Sequence, residues 1–471
     1  MDGKLGTPVR LLPHLAGRFW RRRAAFWGGA LCVGAVSVLF ARAADGAENL
    51  FFHVSGRFWA LPLLITPLGF VFCAWAAGSV FPGSQGSGIP QAIAARELPR
   101  GIARRRLLSV RMCFAKIGLT VVALLCGASV GREGPTVQVG AAIMLQVTRL
   151  RGLQNERGLI LAGSAAGIAA AFNAPLAGVV FAIEEMSRSF EVKTNGLVLT
   201  TVIIGGLVSL GLTGDYTYFG TSNAAVSGMS GWVLTALCGT AGGLLGGLFS
   251  RLMLDIGLWA KGWIAGNPKT RRQLYPLICG GLVALIGVAT KGASFGTGYE
   301  TARAAVEGVA PHWYFWPAKF LASLITAVSG IPGGIFAPSL SVGAGLGAWI
   351  AGEGGKAASV GALLGMAGYF SGVVQAPMTA FVIILEMTGN TGAVIPLMVA
   401  AMLGLGTSRL VCPRPLYHEL AQGFMPLGHA TRPAAMREPG HETSEAEDEE
   451  APPAAAPEPP PQHRPEPKQE A

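Results

Sequence analysis

Apolar stretches that recur along most of the chain constrain its fold more than any other feature. They run from "AAFWGGALCVGAVSVLFA" (24–41) to "VIPLMVAAMLGLG" (394–406), and around ten can be counted. A helix needs about 20 apolar residues to cross a bilayer, and several of these stretches are shorter or interrupted by glycine and proline. Interrupted backbone survives at membrane depth only where protein buries it or where it lines a wet cavity. The pattern predicts an all-α, polytopic membrane protein with tilted and broken helices, suited to transport.

Charged residues are scarce, and the basic ones cluster beside the apolar stretches. They make up 13% of the chain, against about 25% in soluble domains. The net charge is +10, and arginines in "RRR" (21–23) and "RELPRGIARRR" (96–106) flank membrane segments. The positive-inside rule explains this excess without a nucleic-acid partner. It places residues 1–24 and the 96–106 segment in the cytoplasm and the acidic "DGAEN" (45–49) outside, whereas the basic 149–157 segment does not readily fit this orientation.

Both termini are therefore predicted to be cytoplasmic in a multi-pass protein of the cell (inner) membrane. Residues 431–471 carry ten acidic and four basic side chains and are rich in proline and alanine. Such a segment cannot bury enough apolar surface to fold, so a disordered acidic tail is expected.

The seven cysteines are scattered without CxxC spacing. This pattern predicts buried thiols, and it predicts no disulfide, metal site or cofactor.

Two pairs of similar segments indicate an internal repeat. "GSAAGIAAAFNAPLAGVVFAIEEM" (163–186) parallels "GMAGYFSGVVQAPMTAFVIILEM" (365–387), and "GREGP" (131–135) parallels "GIFAP" (334–338). The two motifs occur in the same order at nearly one spacing. Transporters are commonly built from two repeats, often inverted, with the substrate site at their interface near the bilayer midplane.

The predicted repeats span residues 25–215 and 230–425, and the second includes the final helix. Their alignment exposes one asymmetry, because Glu133 in the first half corresponds to Phe336 in the second. A fold that accepts an aromatic ring at one position does not require a carboxylate at its counterpart. Glu133 is therefore a candidate functional residue.

Three motifs combine glycine and proline at the expected start of a helix: "GSGIP" (86–90), "GREGP" (131–135) and "GIFAP" (334–338). A helix N-terminus offers unpaired N–H groups and about half a positive charge, which suits an anion. Glycine lets the backbone approach the ion, and proline is tolerated in the first turn. Ser87 adds a hydroxyl donor. The predicted anion-site glycines are Gly86, Gly88, Gly131, Gly134 and Gly334.

In this order, the three motifs resemble the signature elements of the CLC chloride channel and transporter family. A tyrosine in "PRPLYHEL" (413–420) matches the fourth family element, and the resemblance covers roughly residues 20–425. It implies a homodimer in which each subunit forms a separate pore from two inverted halves of tilted, partly broken helices. It further implies that the hydroxyls of Ser87 and Tyr417 bracket a central chloride.

By the same resemblance, the backbone N–H groups of Ile335 and Phe336 face that chloride, and Glu133 is the gating glutamate and external proton site. Physical chemistry supports this role, because a carboxylate at a helix N-terminus occupies an anion site when ionised and can leave it when protonated. Arg132 is interpreted as structural and electropositive. An N-terminal cap in which Glu133 pairs with Arg132 is the alternative.

The motif "FAIEEM" (181–186) bears on whether the protein is an exchanger or a channel. Family exchangers carry a glutamate here that passes protons from the cytoplasm, and the alignment assigns this internal site to Glu185, with Glu184 beside it. The repeat matches Glu184 to Glu386, which suggests that Glu184 is structural. A charged helix end facing water is the alternative. No histidine lies at the centre of an apolar stretch, so water is expected to carry the proton between the glutamates.

The resulting prediction is an H+/Cl− antiporter, with a passive chloride channel of the same family as the alternative. Nothing after residue 430 resembles the paired nucleotide-binding regulatory domains of some family members, and the serine of "GSGIP" favours chloride. An intramembrane serine hydrolase at Ser87 would need a nearby base, so no enzyme is predicted.

Lys116, in "CFAKIGLT", is expected to be buried against backbone carbonyls near the ion path.

Overall fold

The computed structural model describes residues 13–151, 156–187, 196–214, 217–352 and 354–425, and these ranges are almost entirely helical. The α-helices are α1 (Pro13–Arg57), α2 (Pro62–Trp75), α3 (Ile89–Glu97), α4 (Ile102–Leu107), α5 (Val110–Leu125), α6 (Glu133–Arg151), α7 (Glu156–Phe172), α8 (Pro175–Phe181), α9 (Gly196–Thr213), α10 (Gly228–Gly266), α11 (Pro268–Ala289), α12 (Tyr299–Val306), α13 (Phe315–Val328), α14 (Phe336–Ala351), α15 (Lys356–Val374), α16 (Pro377–Thr388), α17 (Val394–Val411) and α18 (Leu416–Gln422). Single π-helical turns, Ala76–Val80 and Ala182–Ser187, extend α2 and α8. The predicted tail, residues 431–471, lies outside the described residues.

Several of these helices can cross a membrane, as predicted. Within the described ranges, seven helical segments are long and apolar enough to cross a membrane. They lie in α1, α2, α4–α5, α10, α11, α15 and α17. Four shorter apolar helices are α9, α13, α14 and α16. Other protein segments bury 94% of the apolar part of α15, so this helix lies at the centre of the fold. The expectation of a polytopic, all-α protein with short and broken helices is confirmed.

The two halves pack by the same pattern. In the first half α1 contacts α6, α7 and α9, and in the second half α10 contacts α14, α15 and α17. The pair α6–α7 corresponds to α14–α15, and α8 packs against its own counterpart, α16. We propose that the first repeat comprises α1–α9 and the second α10–α17, close to the boundaries expected from sequence, with α18 appended.

Reciprocal helix caps demonstrate that the repeats are inverted. Glu386, near the end of α16, accepts hydrogen bonds from the backbone N–H groups of Leu176 and Ala177 at 3.0 and 2.6 Å, in the first turn of α8. Glu184, its counterpart after α8, accepts in the same way from the first turn of α16 at 3.1 and 2.7 Å. Each helix therefore begins where the other ends, so the two equivalent helices run antiparallel.

Close glycine crossings occur at equivalent places in both halves. A Cβ atom at Gly140 of α6 would lie 2.2 Å from the carbonyl oxygen of Gly163 in α7. The counterpart is the crossing of α14 and α15, where a Cβ at Gly343 would lie 2.6 Å from the carbonyl oxygen of Gly365. Only glycine permits this approach, which lets helices pack tightly where lipid provides no hydrophobic driving force between them.

The acidic residues 45–49 lie inside a helix. α1 continues without a break to Arg57, and both acids of this segment, Asp45 and Glu48, face other elements. Asp45 forms an ion pair with Arg132, while Glu48 accepts a hydrogen bond from the backbone of the second repeat. These partners explain why acidic side chains are tolerated within a helix that is otherwise apolar.

The basic 149–157 segment did not readily fit the predicted orientation. Ion pairs connect it to the other basic segment, residues 96–106. Glu156 pairs with Arg104 at 2.7 Å and lies 3.9 Å from the guanidinium of Arg100. The start of α7 therefore lies on the same side of the molecule as residues 96–106. Both basic segments then obey one orientation under the positive-inside rule.

Candidate anion and proton site

The three glycine motifs meet at the centre of the fold. Gly131 and Gly334 exchange two backbone hydrogen bonds of 2.7 Å each, and these glycines are repeat equivalents. The first motif joins them, because Gly86 donates to the carbonyl of Ile331 and accepts from the N–H of Gly333, both at 3.1 Å. The pseudo-twofold axis thus passes between Gly131 and Gly334, and the N-termini of α6 and α14 converge there.

Glu133 begins α6, and its side chain is fully buried at this convergence. The carboxylate faces the backbone N–H of Ala337, in the first turn of α14. A Cβ at Gly131 would lie 2.2 Å from Oε2 of Glu133, so only glycine leaves room for the carboxylate. The negative charge therefore lies between two helix N-termini, where each helix contributes about half a positive charge.

The hydroxyls of Ser87 and Tyr417 lie on the inner side of the motifs and face each other. Both side chains are buried, and within the described part of the chain neither hydroxyl has a hydrogen-bond partner of normal geometry. α14 begins at Phe336, so the N–H groups of Ile335 and Phe336 have no acceptor within their own helix. Two hydroxyls and a helix N-terminus form a set of neutral donors that suits a desolvated anion.

The motif glycines position these donors and do not supply side chains. Gly86 and Gly88 adopt positive φ angles of 64° and 103°, which favour glycine. A Cβ at Gly88 would lie 2.8 Å from the carbonyl oxygen of Gly134, and a Cβ at Gly134 would lie 2.3 Å from Oγ of Ser87. The absence of these Cβ atoms brings Ser87 directly onto the first turn of α6.

A cluster of aromatic rings surrounds Phe336, which is fully buried. Its ring centroid lies 6.2 Å from that of Phe172 and 6.2 Å from that of Phe181. On other sides it lies 4.8 Å from Phe370 and 5.9 Å from Tyr417. The position that corresponds to Glu133 thus carries a packed apolar group, which contacts the last residue of α8.

Glu185 lies in the π-helical turn after α8 and is 1% exposed. Its Oε1 atom is 3.6 Å from Nδ1 of His418, on α18. Sequence reasoning missed this contact, because His418 directly follows Tyr417 and lies about half the chain away from Glu185. The buried acid and the imidazole therefore lie side by side at one end of the molecule.

Glu184 has a different environment, because it is engaged by backbone. Its carboxylate caps α16 through Met378 and Thr379, and Glu386 makes the equivalent cap on α8. The repeat alignment had suggested a structural role for Glu184, and this geometry supports it. The two adjacent glutamates therefore differ in their contacts, which indicates different roles.

Replacing either capping glutamate by alanine is expected to cost similar stability. Each of Glu184 and Glu386 accepts two backbone hydrogen bonds, and the loss of such a charged cap costs about 2 kcal/mol. Both Glu184→Ala and Glu386→Ala should lower the Tm in detergent, followed by tryptophan fluorescence. The exposed Glu300→Ala is the control. A clear loss in one variant and none in the other would contradict the symmetric capping.

Arg132 pairs with α1 in this structure. It is 5% exposed, donates to the carbonyl of Ala41 at 2.8 Å and forms an ion pair with Asp45. Its guanidinium lies 5.7 Å from the ring centroid of Tyr218, and the Tyr218 hydroxyl donates to Oε1 of Glu133 at 3.4 Å. Tyr218 belongs to a segment between α9 and α10 without a recognisable motif, so the sequence offered no signal for it.

Lys116 is fully buried, as predicted, and donates to the carbonyls of Ser84 and Gly86 at 2.8 and 2.6 Å. These carbonyls belong to the loop that presents Ser87. The prediction that Lys116 is buried against backbone carbonyls is confirmed. Lys116 holds the loop before α3 in the shape that the first motif requires.

Solved structures share this fold. A slow cyanobacterial Cl−/H+ antiporter superposes with a TM-score of 0.72 at 22% identity, covering 85% of this chain and 97% of that chain. A CLC-type fluoride/proton antiporter gives a TM-score of 0.70 at 21% identity and covers 84% and 96%. A eukaryotic CLC transporter gives 0.69 at 22% identity and covers 88% and 77%. At these identities the similarity shows the fold, and the predicted fold class is confirmed.

Some relatives found by sequence share a higher identity with this chain than these solved structures do. The H(+)/Cl(−) exchange transporter ClcA of Citrobacter koseri is 31% identical over 413 residues, which cover 82% of this chain and 84% of the relative. ClcA of Salmonella agona is 30% identical over 410 residues, with the same coverage. Residues 68–409 match the model of the voltage gated chloride channel family. This chain therefore belongs to that family, the CLC proteins named from its motifs above.

Proposed function

We propose that this multi-pass membrane protein is an H+/Cl− antiporter. The observation that carries the proposal is the fully buried carboxylate of Glu133 between the N-termini of α6 and α14. A charge in lipid is costly unless it faces protein, water or an ion, and this one lies where an anion would be stabilised. The relatives named H(+)/Cl(−) exchange transporters support the same reading.

Chloride is bound, in this proposal, by the hydroxyls of Ser87 and Tyr417 and by the N–H groups of Ile335 and Phe336. Glu133 acts as a tethered anion that competes with chloride for the outer part of the same path. When it is ionised it fills the place between the helix N-termini. When it is protonated it loses its attraction to the helix dipoles and releases that place to chloride.

Protons are passed between Glu133 and an inner site at Glu185. Glu185 is almost fully buried, so it holds a proton site away from bulk water. Glu184, although adjacent, is occupied by the cap on α16, and we therefore assign the inner proton site to Glu185 alone. The aromatic cluster around Phe336 keeps the two acids apart and limits leakage between them.

The orientation follows from the basic segments. Arg96 donates to the carbonyl of Met186 at 2.5 Å, so Glu185 lies on the same side as residues 96–106, which the positive-inside rule places in the cytoplasm. Asp45, about 35 Å along α1 from the arginines at 21–23, then lies outside with Arg132. We accordingly propose cytoplasmic termini, a location in the inner membrane and the homodimer typical of the family.

A passive chloride channel is the second candidate, because its chloride ligands would be the same. The ionisable Glu185 favours the exchanger, since a channel has no use for a buried inner acid. An enzymatic reaction at Ser87 is not supported, because its hydroxyl faces the phenol of Tyr417 and not a base.

An outward chloride gradient imposed on proteoliposomes should drive protons against their own gradient, and this experiment tests the proposal. Proton movement is followed with a lumenal pH dye, and chloride efflux with an electrode. Protein-free vesicles from the same lipid are the control. Chloride efflux without coupled proton uptake would establish the passive channel instead.

A further inference from the structure

The loop before α12 repeats the loop before α3. "SQGSG" (84–88) and "SFGTG" (294–298) align residue by residue, so Thr297 corresponds to Ser87. The backbone agrees, because the glycines of the second loop, residues 296 and 298, have φ angles of 63° and 76°. Each loop leads directly into a short helix. The second repeat therefore retains the local fold that presents a hydroxyl in the first.

A buried lysine holds each loop in the same way. Lys116 donates to the carbonyls of Ser84 and Gly86, and its repeat counterpart Lys319 donates to the three carbonyls of residues 294–296 at 3.1, 3.2 and 2.6 Å. Both lysines are fully buried. A lysine amine donor therefore lies behind each loop, in addition to the N-terminus of the helix that follows it.

The second loop holds an anion that the protein itself supplies. Oε1 of Glu48, from α1, accepts hydrogen bonds from the backbone N–H of Thr297 at 2.9 Å and from its hydroxyl at 3.1 Å. A Cβ at Gly296 would lie 2.1 Å from the same oxygen, so the loop is shaped around the carboxylate. The hydroxyl of Ser87 has no such partner among the described residues.

We infer that residues 294–298 form a second anion-binding site, with the carboxylate of Glu48 as its resident ligand. The site takes a small monovalent anion such as chloride when that carboxylate is removed. Its donors are an N–H group, a hydroxyl and the N-terminus of α12, with Lys319 behind them. The inference goes beyond the proposed transport, since it concerns a site on the other side of the pseudo-twofold axis.

Glu48→Ala is expected to make the stability of the protein depend on chloride. In detergent, replacing gluconate by chloride should raise the Tm of this variant by about 2–4 °C more than that of the wild type. Thr297→Val in the same background should remove the extra increase. Glu300→Ala, which removes an exposed acid from the first turn of α12, is the matched control.

Crystals of Glu48→Ala soaked in bromide should show an added anion within hydrogen-bond distance of Thr297, which wild-type crystals lack. An equal chloride response in the variant and the wild type would overturn the inference. Failure to recover the folded variant in either salt would also overturn it, because chloride is expected to replace the missing carboxylate.

A separate observation concerns His418, at the cytoplasmic end. Its side chain is 24% exposed, but its Nδ1 atom is buried and lies 3.6 Å from Oε1 of Glu185. In the described part of the chain neither of these two atoms has a hydrogen-bond partner, and each is the nearest charged or titratable contact recorded for the other. The imidazole thus touches the buried acid on one edge and reaches solvent on the other.

We propose that His418 relays protons between cytoplasmic water and Glu185, which rests on the proposed antiport. Histidine is the side chain that ordinarily changes charge near neutral pH. Nε2 takes a proton from water, Nδ1–H gives its proton to the Glu185 carboxylate, and rotation of the ring or exchange with water restores the starting tautomer. No proton is gained or lost in the cycle apart from the one delivered.

Several other charged groups at this end are engaged by partners other than Glu185. Glu184 caps α16, Arg414 lies 3.8 Å from Glu419, and Arg251 of α10 lies 3.7 Å from Asp255. On α3, the guanidinium of Arg96 binds a backbone carbonyl of the π-helical turn. Of these groups, His418 is the one whose side chain lies against the Glu185 carboxylate and also reaches solvent.

His418→Ala is expected to slow proton transport in proteoliposomes by about a hundredfold, the low end for a lost acid–base group, while chloride flux continues, and imidazole added to the cytoplasmic side should restore part of the proton rate. His312→Ala, an exposed histidine elsewhere, is the control. An equal loss of both fluxes, or a full proton rate over the whole range of internal pH, would overturn the relay. Absence of coupling in the wild type measured alongside would instead reject the antiport itself.

Discussion

Glu133→Ala is expected to conduct chloride at every pH and to move no protons above background. The variant removes the carboxylate that lies between the N-termini of α6 and α14. With the tethered anion gone, protonation no longer decides whether chloride occupies that place. Chloride flux should therefore lose its pH dependence, and the proton rate should fall by about a hundredfold or more, the scale of a lost acid–base group.

Fluxes of both ions through reconstituted vesicles, measured across a series of symmetric pH values, test this expectation. Glu300→Ala is the control, since it removes an exposed acid from α12 and should leave coupling intact. The aligned position in the second repeat is Phe336, so the fold tolerates a side chain without charge at this point. A Glu133→Ala protein that still coupled the two ions would contradict the assignment of Glu133 as the gating glutamate.

Much of the candidate site was predictable because short motifs encode local geometry. The glycines of "GREGP" and "GIFAP" predicted helix N-termini that an anion can approach, and the structure brings Gly131 against Gly334 through two backbone hydrogen bonds. The repeat also separated the two neighbouring acids: the match of Glu184 to Glu386 anticipated a structural role, and reciprocal capping explains it. Inversion itself could not be derived from the sequence, since an alignment does not say which way a helix runs.

Contacts between distant segments were not predictable. His418 approaches Glu185 only because α18 packs against α3, and nothing near the histidine in sequence indicates a partner. The acidic 45–49 segment was expected outside the membrane as a simple marker of orientation. Its side-chain contacts were not foreseen: Glu48 binds Thr297 across the two halves, and this pairing depends on how α1 lies against the second repeat.

Glu185→Gln is expected to stop proton transport while chloride transport continues. Glutamine has nearly the same shape, so the packing of a residue that is 1% exposed should persist, but it cannot take up and release a proton. The chloride donors are hydroxyls and backbone N–H groups on other elements, so their geometry is unaffected. The proton rate should drop by about a hundredfold, with chloride flux of comparable size to that of the wild type.

Glu184→Gln supplies the matched control, because it changes the neighbouring acid by the same single group. Its amide oxygen can still accept from the first turn of α16, where the carboxylate now binds Met378 and Thr379. This variant should lose some stability and keep its coupling ratio. If Glu184→Gln were the uncoupled variant and Glu185→Gln pumped protons normally, the inner proton site would belong to Glu184 and its capping contacts would have to open during transport. The pair of variants thus separates a proton carrier from a helix cap one residue away.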